Sequence, residues 1–197
     1  MKEKNTAERI IALVDKMCEN SGEFRMWKNI PLAQECIKLL KEMDDREETP
    51  MGKAMACNAI CEQLPEYDVP RFVLGILLYE REQLEQSGEV GNDDCPTLKD
   101  VDYDIQRLND YIDIEHVSME EFLKRHQRHL KFDPVERTSQ WEEIYYDVEQ
   151  ECDLRLGDIP RGMGFCFSYW STLRQVLAER GISWRSPHEM NPGVMFD

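Results

Sequence analysis

The sequence lacks a hydrophobic run long enough to cross a membrane. A spanning helix needs about 20 apolar residues, whereas the longest apolar window, Phe72 to Tyr79, is short and lies between Arg71 and Glu80. The opening residues, MKEKNTAERI, also lack the apolar segment and cleavage site of a secretion signal. We therefore expect a cytoplasmic protein with no membrane association.

The cysteines lack the pattern of a disulfide framework or of a zinc ribbon. The chain has seven cysteines, an odd number, and no two are spaced Cys-x-x-Cys. Disulfide scaffolds and structural zinc sites depend on such pairs. Most of the cysteines fall on apolar helix faces, so we expect them to be small core residues in a reducing compartment.

The negative charge is unevenly distributed, and the excess of acidic residues lies upstream of the C-terminal stretch. The net charge is −16, from 40 acidic and 24 basic residues. Residues 158–197 balance four acids with four arginines, whereas residues 80–121 contain 14 acids and three bases. Because phosphate backbones are bound by clustered lysine and arginine, we expect no direct nucleic-acid binding. The acidic segment leaves open a nucleic-acid mimic that competes for a basic partner.

Apolar residues recur every three or four positions through most of the chain, which predicts an all-α fold of about eight helices. Start signals support it: Asn5 with Glu8, Thr49 with Pro50, and later pairs of the same kind. We expect an N-terminal helical bundle (1–88), a linker (89–96) and a C-terminal helical unit with an aromatic-rich tail (97–197), with one continuous domain as the alternative. No fixed-period repeat supports a helical array.

The helix expected from Pro70 to about Gly88 has an unusually apolar middle, FVLGILLYE. A helix that is apolar on nearly all sides is usually buried. We therefore expect this helix to be the most buried one of the N-terminal half. Gly75 inside it destabilises a helix by about 1 kcal/mol relative to alanine, and a close helix crossing at this glycine is the expected compensation.

The stretch 161–197 organises the C-terminal half. Helical spacing aligns Cys166, Trp170, Leu173 and Leu177 on one face, and Gly181 is placed to end the helix. A short helix is expected after the cap residue Ser186 with Glu189 three positions on. The apolar residues that follow are expected to pack against the fold.

A ligand-binding cluster is the main candidate site in this stretch. Its members are two arginines, two aromatic residues and a histidine: Arg161, Tyr169, Trp184, Arg185 and His188. Such a cluster suits a planar ligand or a partner's side chain, since tryptophan and arginine are common interface anchors. The alternative, which we favour, is that Trp170 and Trp184 are core residues.

Two smaller hypotheses concern the start of the Phe165 helix. Arg161 with the free amides near Gly162 and Gly164 is typical of a weak anion site, and the alternative is a simple turn. Cys166 at the same place is a candidate nucleophile with His188 as its base. A buried, unreactive thiol is the alternative that we favour.

No metal site, cofactor or catalytic residue is predicted. His126 and His129 share a helix, but the preceding residues do not form the Glu-x-x-His pairs of di-iron bundles. The acid pattern of the all-α nucleotide pyrophosphatases also fails, because Lys124 and Tyr146 replace the third acid. Solvated polar faces with one half-buried histidine are the favoured interpretation.

The leading functional hypothesis is a non-catalytic protein–protein interaction or regulatory module. It rests on the missing catalytic groups, the acidic segment and a narrow apolar seam that another helix, from this chain, a second copy or a partner, would cover. The seam consists of Leu98, Val101, Ile105, Leu108 and Ile112. The alternatives are a small ligand- or anion-binding protein or enzyme with its site near Arg161 to His188, and the acidic nucleic-acid mimic.

Overall fold

The computed structural model describes residues 6–44, 46–88 and 96–196. These residues form nine α-helices and no strand, which confirms the all-α prediction. The helices are α1 (Thr6–Gly22), α2 (Asn29–Glu42), α3 (Pro50–Cys61), α4 (Pro70–Ser87), α5 (Leu98–Ile112), α6 (Met119–Arg125), α7 (Ser139–Leu156), α8 (Phe165–Glu179) and α9 (Pro187–Met190), with 3₁₀ turns at Met26–Lys28 and Pro134–Arg137. None of the helices is long and apolar enough to cross a membrane.

The chain divides into two compact units, residues 1–109 (unit 1) and residues 110–197 (unit 2). The division falls inside α5. The proposed cap Asn5, the core assignment of Cys95 and nearly all of the expected linker lie outside the described residues. The domain boundaries at 88 and 97 therefore stay a prediction.

Unit 1 is built mainly from the helix pairs α1–α2 and α3–α4. The Thr49 hydroxyl accepts a hydrogen bond from the Gly52 amide at 3.1 Å and starts α3. Asn29 is fully buried, and its side-chain amide donates to the carbonyls of Met17 at 3.1 Å and Gln63 at 2.8 Å. One buried amide thereby links α1, α2 and the end of α3.

Two expectations about α4 are wrong. Seven of its 18 residues are buried, compared with seven of the 14 in α2, and Leu78 is 51% exposed. Gly75 is exposed, and a Cβ built there would meet nothing within 4 Å. Because α4 packs mainly on α3, its opposite side remains at the surface and no close crossing requires the glycine.

The apolar seam of α5 is partly buried within this chain. Val101 is 3% exposed and Leu108 is fully buried, whereas Ile105 and Ile112 are half-buried and Leu98 is 40% exposed. Val101 and Leu108 are therefore already covered within this chain. A second copy would find only Leu98 and the half-buried Ile105 and Ile112.

Arg137 lies at the centre of unit 2 and is 4% exposed. Its guanidinium donates to the main-chain carbonyls of Tyr111 at 2.6 Å, Asp110 at 3.0 Å and Val117 at 2.9 Å. Two of these carbonyls belong to the last turn of α5, where helix carbonyls lack partners within the helix. The arginine therefore caps α5 from inside the unit. Its guanidinium also lies 6.0 Å from the centre of the Phe122 ring.

The predicted aromatic tail closes the core of unit 2 only in part, because Trp184 is buried whereas Val194 is 39% and Met195 92% exposed, contrary to the expected packing of the apolar terminus. Trp184 is 6% exposed, stacks on Trp141 with ring centres 6.4 Å apart, and donates from Nε1 to Glu136 at 2.7 Å. Asn191 is also buried and exchanges two hydrogen bonds with the main chain of Lys131, at 2.8 and 2.7 Å. The segment after α8 is thus tied to the segment that precedes α7.

The core prediction for the cysteines is confirmed for Cys36, Cys57 and Cys152, which are buried. It is wrong for Cys18, which is exposed. Burial raises the pKa of the Cys36 thiol to about 11 and that of Cys152 to about 12. These two thiols therefore stay protonated near neutral pH and are poor nucleophiles.

Candidate functional site

The first half of α8 is less buried than its sequence pattern predicts. Leu173 and Leu177 lie in the core as expected, but Cys166 and Trp170 are only half-buried and Phe167 is 46% exposed. Aromatic side chains at this density are usually covered in a folded protein. The N-terminal half of α8 is therefore the aromatic surface from which a candidate site can be built.

A groove of about 260 Å³ lies between α8 and α9 within unit 2. We call it the α8–α9 groove. One face of α8, the cap of α9 and the first turn of α9 line it: Phe167, Trp170, Ser171, Arg174, Ser186, His188 and Glu189. Phe167, Ser171 and Arg174 are spaced by four and three residues, so α8 presents them on one face.

Aromatic rings form the apolar wall of the groove. Phe167 meets Trp170 edge to face with ring centres 5.5 Å apart, and it meets His188 at 5.9 Å. Phe196, beyond the groove, supports the same cluster from behind at 5.3 Å from Trp170 and 6.3 Å from His188. Such edge-to-face contacts stabilise ring positions, so the wall is held in place before any ligand arrives.

A polar edge faces this wall. Arg174 forms an ion pair with Glu189. Glu189 also accepts from the Ser186 amide at 2.8 Å and the Ser186 hydroxyl at 3.1 Å, as the predicted capping box requires. These hydrogen bonds and the charges of Arg174 and Arg185 hold the pKa of Glu189 below its ordinary value. The Glu189 carboxylate is therefore charged, and its hydrogen bonds stabilise the start of α9.

Of the five residues predicted to bind a ligand, only His188 lines the α8–α9 groove. Trp184 lies in the core as described above, in agreement with the alternative that we favoured for it. Arg185 donates from its amide and from Nε to the Asp133 carboxylate, at 3.0 and 3.2 Å. These residues are neighbours in sequence but face different parts of unit 2.

Tyr169 and Arg161 have partners on α7. The Tyr169 hydroxyl donates to Glu149, and Arg161 forms an ion pair with Asp153. The Arg161 guanidinium also lies 5.0 Å from the centre of the Phe165 ring. Tyr169 therefore helps to attach α8 to α7, Arg161 attaches the segment before α8 to α7, and neither side chain lines the groove.

The two hypotheses about the start of α8 receive no geometric support. The Phe165 amide donates to the Gly162 carbonyl at 3.0 Å, and the charge of Arg161 is balanced by Asp153. Gly164 takes a positive φ of 79° at the helix cap, which fits a turn residue. His188 packs between aromatic rings rather than against Cys166, which does not line the groove.

The expectation that His126 and His129 share a helix is wrong, because α6 ends at Arg125 and both histidines follow it. His126 is 9% exposed and lies 3.0 Å from the Asp110 carboxylate through Nε2, whereas His129 is exposed. Arg125 contacts the same carboxylate at 3.3 Å. Within the described ranges no three histidine, cysteine or carboxylate side chains are arranged to hold a metal ion.

The sequence analysis missed Phe167, Ser171, Arg174 and Glu189 as members of a site. The helical spacing of the first three was visible in the sequence. The Arg174–Glu189 pair was not, because its members are 15 residues apart and meet only after the chain reverses at Gly181, where φ is +76°.

Comparison with known proteins finds no matching family model, no matching curated protein and no matching solved structure. The geometry of the α8–α9 groove therefore carries the functional argument by itself.

Proposed function

We propose that this chain is a non-catalytic binding protein whose α8–α9 groove receives one apolar side chain of a basic partner protein. The observation that carries the proposal is the exposed ring of Phe167 beside Trp170 and His188, in a groove with a charged edge. Apolar anchors that enter small pockets with polar rims dominate many protein interfaces.

The size of the groove supports a side chain rather than a cofactor as its occupant. Small-molecule and cofactor sites usually enclose about 300 to 1,000 Å³, whereas this groove measures about 260 Å³. A single tryptophan, phenylalanine or leucine side chain is the occupant that suits such a space. The aromatic wall provides its apolar contacts, and Ser171 and Arg174 lie where the partner's main chain would pass.

The charge distribution supports a basic partner. The chain carries a net charge of −16, while residues 158–197 are balanced. A net negative charge attracts a positive protein and increases its association rate. Because residues 158–197 carry equal numbers of acidic and basic residues, the side chain that enters the groove need not itself be charged. We therefore propose a partner segment in which an apolar residue lies between lysines or arginines.

The state of Glu189 supports binding over catalysis. Glu189 is held as a carboxylate by the cap of α9. General acid–base catalysis needs a group that can exchange protons with a substrate within hydrogen-bond reach. Glu189 stabilises the start of α9 instead.

The test uses the peptide acetyl-Lys-Lys-Trp-Lys-Lys-amide and a matched peptide with glycine in place of tryptophan. In ¹⁵N-resolved NMR titrations of the full chain, the tryptophan peptide is expected to shift the amides of Phe167, Trp170 and Ser171. We expect a dissociation constant on the order of 1 mM, as befits one anchor side chain. The glycine peptide should cause no localised shifts.

Phe167→Ala is expected to weaken the tryptophan peptide by about fivefold or more. The control is Leu154→Ala, which removes an apolar side chain that is 72% exposed and does not line the groove. It should change the affinity by less than about twofold. Equal shifts with both peptides, or equal losses in both variants, would overturn the proposal.

A further inference from the structure

Glu80 is a fully buried carboxyl group in α4. Its exposure is 0%, and neither carboxyl oxygen has a hydrogen-bond partner among the described residues. Burying a polar group without a partner is costly, and burying an unpaired charge costs far more. The ionised form of Glu80 is therefore incompatible with the packing of α4 that the structure contains.

The helices around Glu80 do not supply a compensating cation. Electrostatic neighbours come from three elements of unit 1: Cys57 and Cys61 of α3, Glu62 just after α3, and Asp104 of α5. Lys41 of α2 acts on Cys57, but it is exposed and lies over the Tyr79 ring at 5.2 Å. The Glu80 carboxyl thus faces thiols and other acids.

The arginine of α5, Arg107, pairs with groups other than Glu80. Arg107 forms ion pairs with Glu66 at 2.9 Å and with Asp104 at 2.7 Å, and it donates to the Tyr67 hydroxyl at 2.5 Å. These bonds hold its guanidinium beside those three groups. Asp104 is therefore a negative neighbour of Glu80. Arg107, which pairs with Asp104, also binds Glu66 and Tyr67 and forms no hydrogen bond with Glu80.

Burial, followed by the charges of Asp104 and Glu62, raises the pKa of Glu80 to about 8. An ordinary glutamate in the unfolded chain titrates near 4.5. Folding therefore takes up a proton between these two values, and stability falls as the pH rises from about 4.5 to about 8. Above that range the folded protein also loses the proton, and the dependence ends.

We propose that Glu80 is a proton-operated latch in unit 1: α4 packs on α3 in the observed way while the carboxyl is protonated, and ionisation at mildly alkaline pH opens this packing. The proposal is independent of the α8–α9 groove, which lies in unit 2. We expect the opening to be local, because the titratable neighbours of Glu80 belong to α3, the turn after α3 and α5. Local openings of this kind are read by amide hydrogen exchange.

The first test measures amide exchange in α3 and α4 of the full chain between pH 5 and pH 9, corrected for intrinsic exchange rates. Glu80→Gln keeps the shape of the protonated side chain but cannot ionise. At pH 9 it is expected to lower the opening constant by on the order of 1,000-fold, and at pH 5 to change it by less than about fivefold. The control, Glu82→Gln, alters an exposed glutamate of the same helix and should behave like the wild type.

Parallel pH profiles of the wild type and Glu80→Gln would overturn the proposal. The second test does not depend on that variant: carbon-13 NMR follows the Glu80 carboxyl of the wild-type chain, assigned through bonds from its backbone. A titration midpoint above about 7 supports the latch. A midpoint near the ordinary glutamate value overturns it.

Discussion

Glu80 in unit 1 and Arg137 in unit 2 are both buried ionisable side chains, but their surroundings are opposite. Arg137 donates to several main-chain carbonyls, including those of Tyr111 and Val117, whereas no described group donates to the oxygens of Glu80. A buried charge is tolerated where hydrogen bonds replace water. Unit 2 therefore retains its buried charge, and unit 1 removes its own by protonation.

The difference shows how pH acts on each unit. Burial lowers the pKa of Arg137, with the charges of Tyr111 and Asp113 opposing the shift, but an arginine remains protonated in proteins. The hydrogen bonds around Arg137 are consequently insensitive to pH in the ordinary range. In unit 1, by contrast, the protonation state of Glu80 changes within that range.

The largest expected effect on stability comes from replacing Arg137 in unit 2. Arg137→Met leaves several buried carbonyls without their donor, so we expect a loss of about 3 to 5 kcal/mol in the free energy of unfolding. Arg137→Lys keeps the charge without the planar fork and should lose about 2 to 3 kcal/mol. The measurement is urea unfolding followed by tryptophan fluorescence, since three of the four tryptophans lie in residues 110–197.

The control for Arg137 is Arg128→Met, at an exposed arginine of the same unit. A surface change of this kind is expected to alter the unfolding free energy by less than about 0.5 kcal/mol. A loss for Arg137→Met no greater than that of the control would mean that the buried arginine does not stabilise unit 2.

A smaller effect is expected on the pKa of Glu80 in unit 1. Asp104→Asn removes one of the negative charges that oppose ionisation of Glu80, so the pKa of Glu80 should fall by about half a unit to one unit. Carbon-13 titration of the Glu80 carboxyl measures it directly. Asp102→Asn, at a carboxylate on the same helix that pairs with Arg81, is the control. An unchanged midpoint in Asp104→Asn would leave burial and the charge of Glu62 as the causes of the shift.

The smallest expected effect is a change in stability at Gly75 of α4 that does not depend on pH. Gly75→Ala should raise the unfolding free energy by about 0.5 to 1 kcal/mol, because alanine is the better helix former and its Cβ meets nothing. The gain should be equal at pH 5 and pH 9, unlike that of Glu80→Gln. The comparison variant is Gly52→Ala, where the new Cβ would lie 1.9 Å from Glu48 Oε1 and force that side chain to move. A gain at Gly75 that varies with pH would link this position to the latch.

Much of the fold was predictable because short-range signals define the helices. Caps at Thr49, Ser118, Thr138 and Ser186 begin α3, α6, α7 and α9 in the structure as the sequence indicates. Each cap depends on residues within three positions, so the sequence contains the whole interaction. The burial of Trp184 was also predicted, from the general tendency of large aromatics to form cores.

What the sequence did not reveal depends on contacts between distant residues. The burial of Arg137 requires that four carbonyls around the end of α5 converge on a side chain 20 to 27 positions away. Glu80 is a different case. Val73, Ile76, Glu80 and Leu84 follow helical spacing, so the glutamate lies on the apolar stripe of α4. Counting it as part of an acidic surface overlooked this signal.

The contact between Trp141 and Trp184 has a consequence for biosynthesis. The two indoles stack in the core of unit 2, yet Trp184 is translated 43 positions after Trp141. At a synthesis rate of roughly 5 to 20 residues per second, Trp184 is added about 2 to 9 s after Trp141. During that interval the ribosome-attached chain presents an uncovered indole, while every residue of unit 1 has already been made.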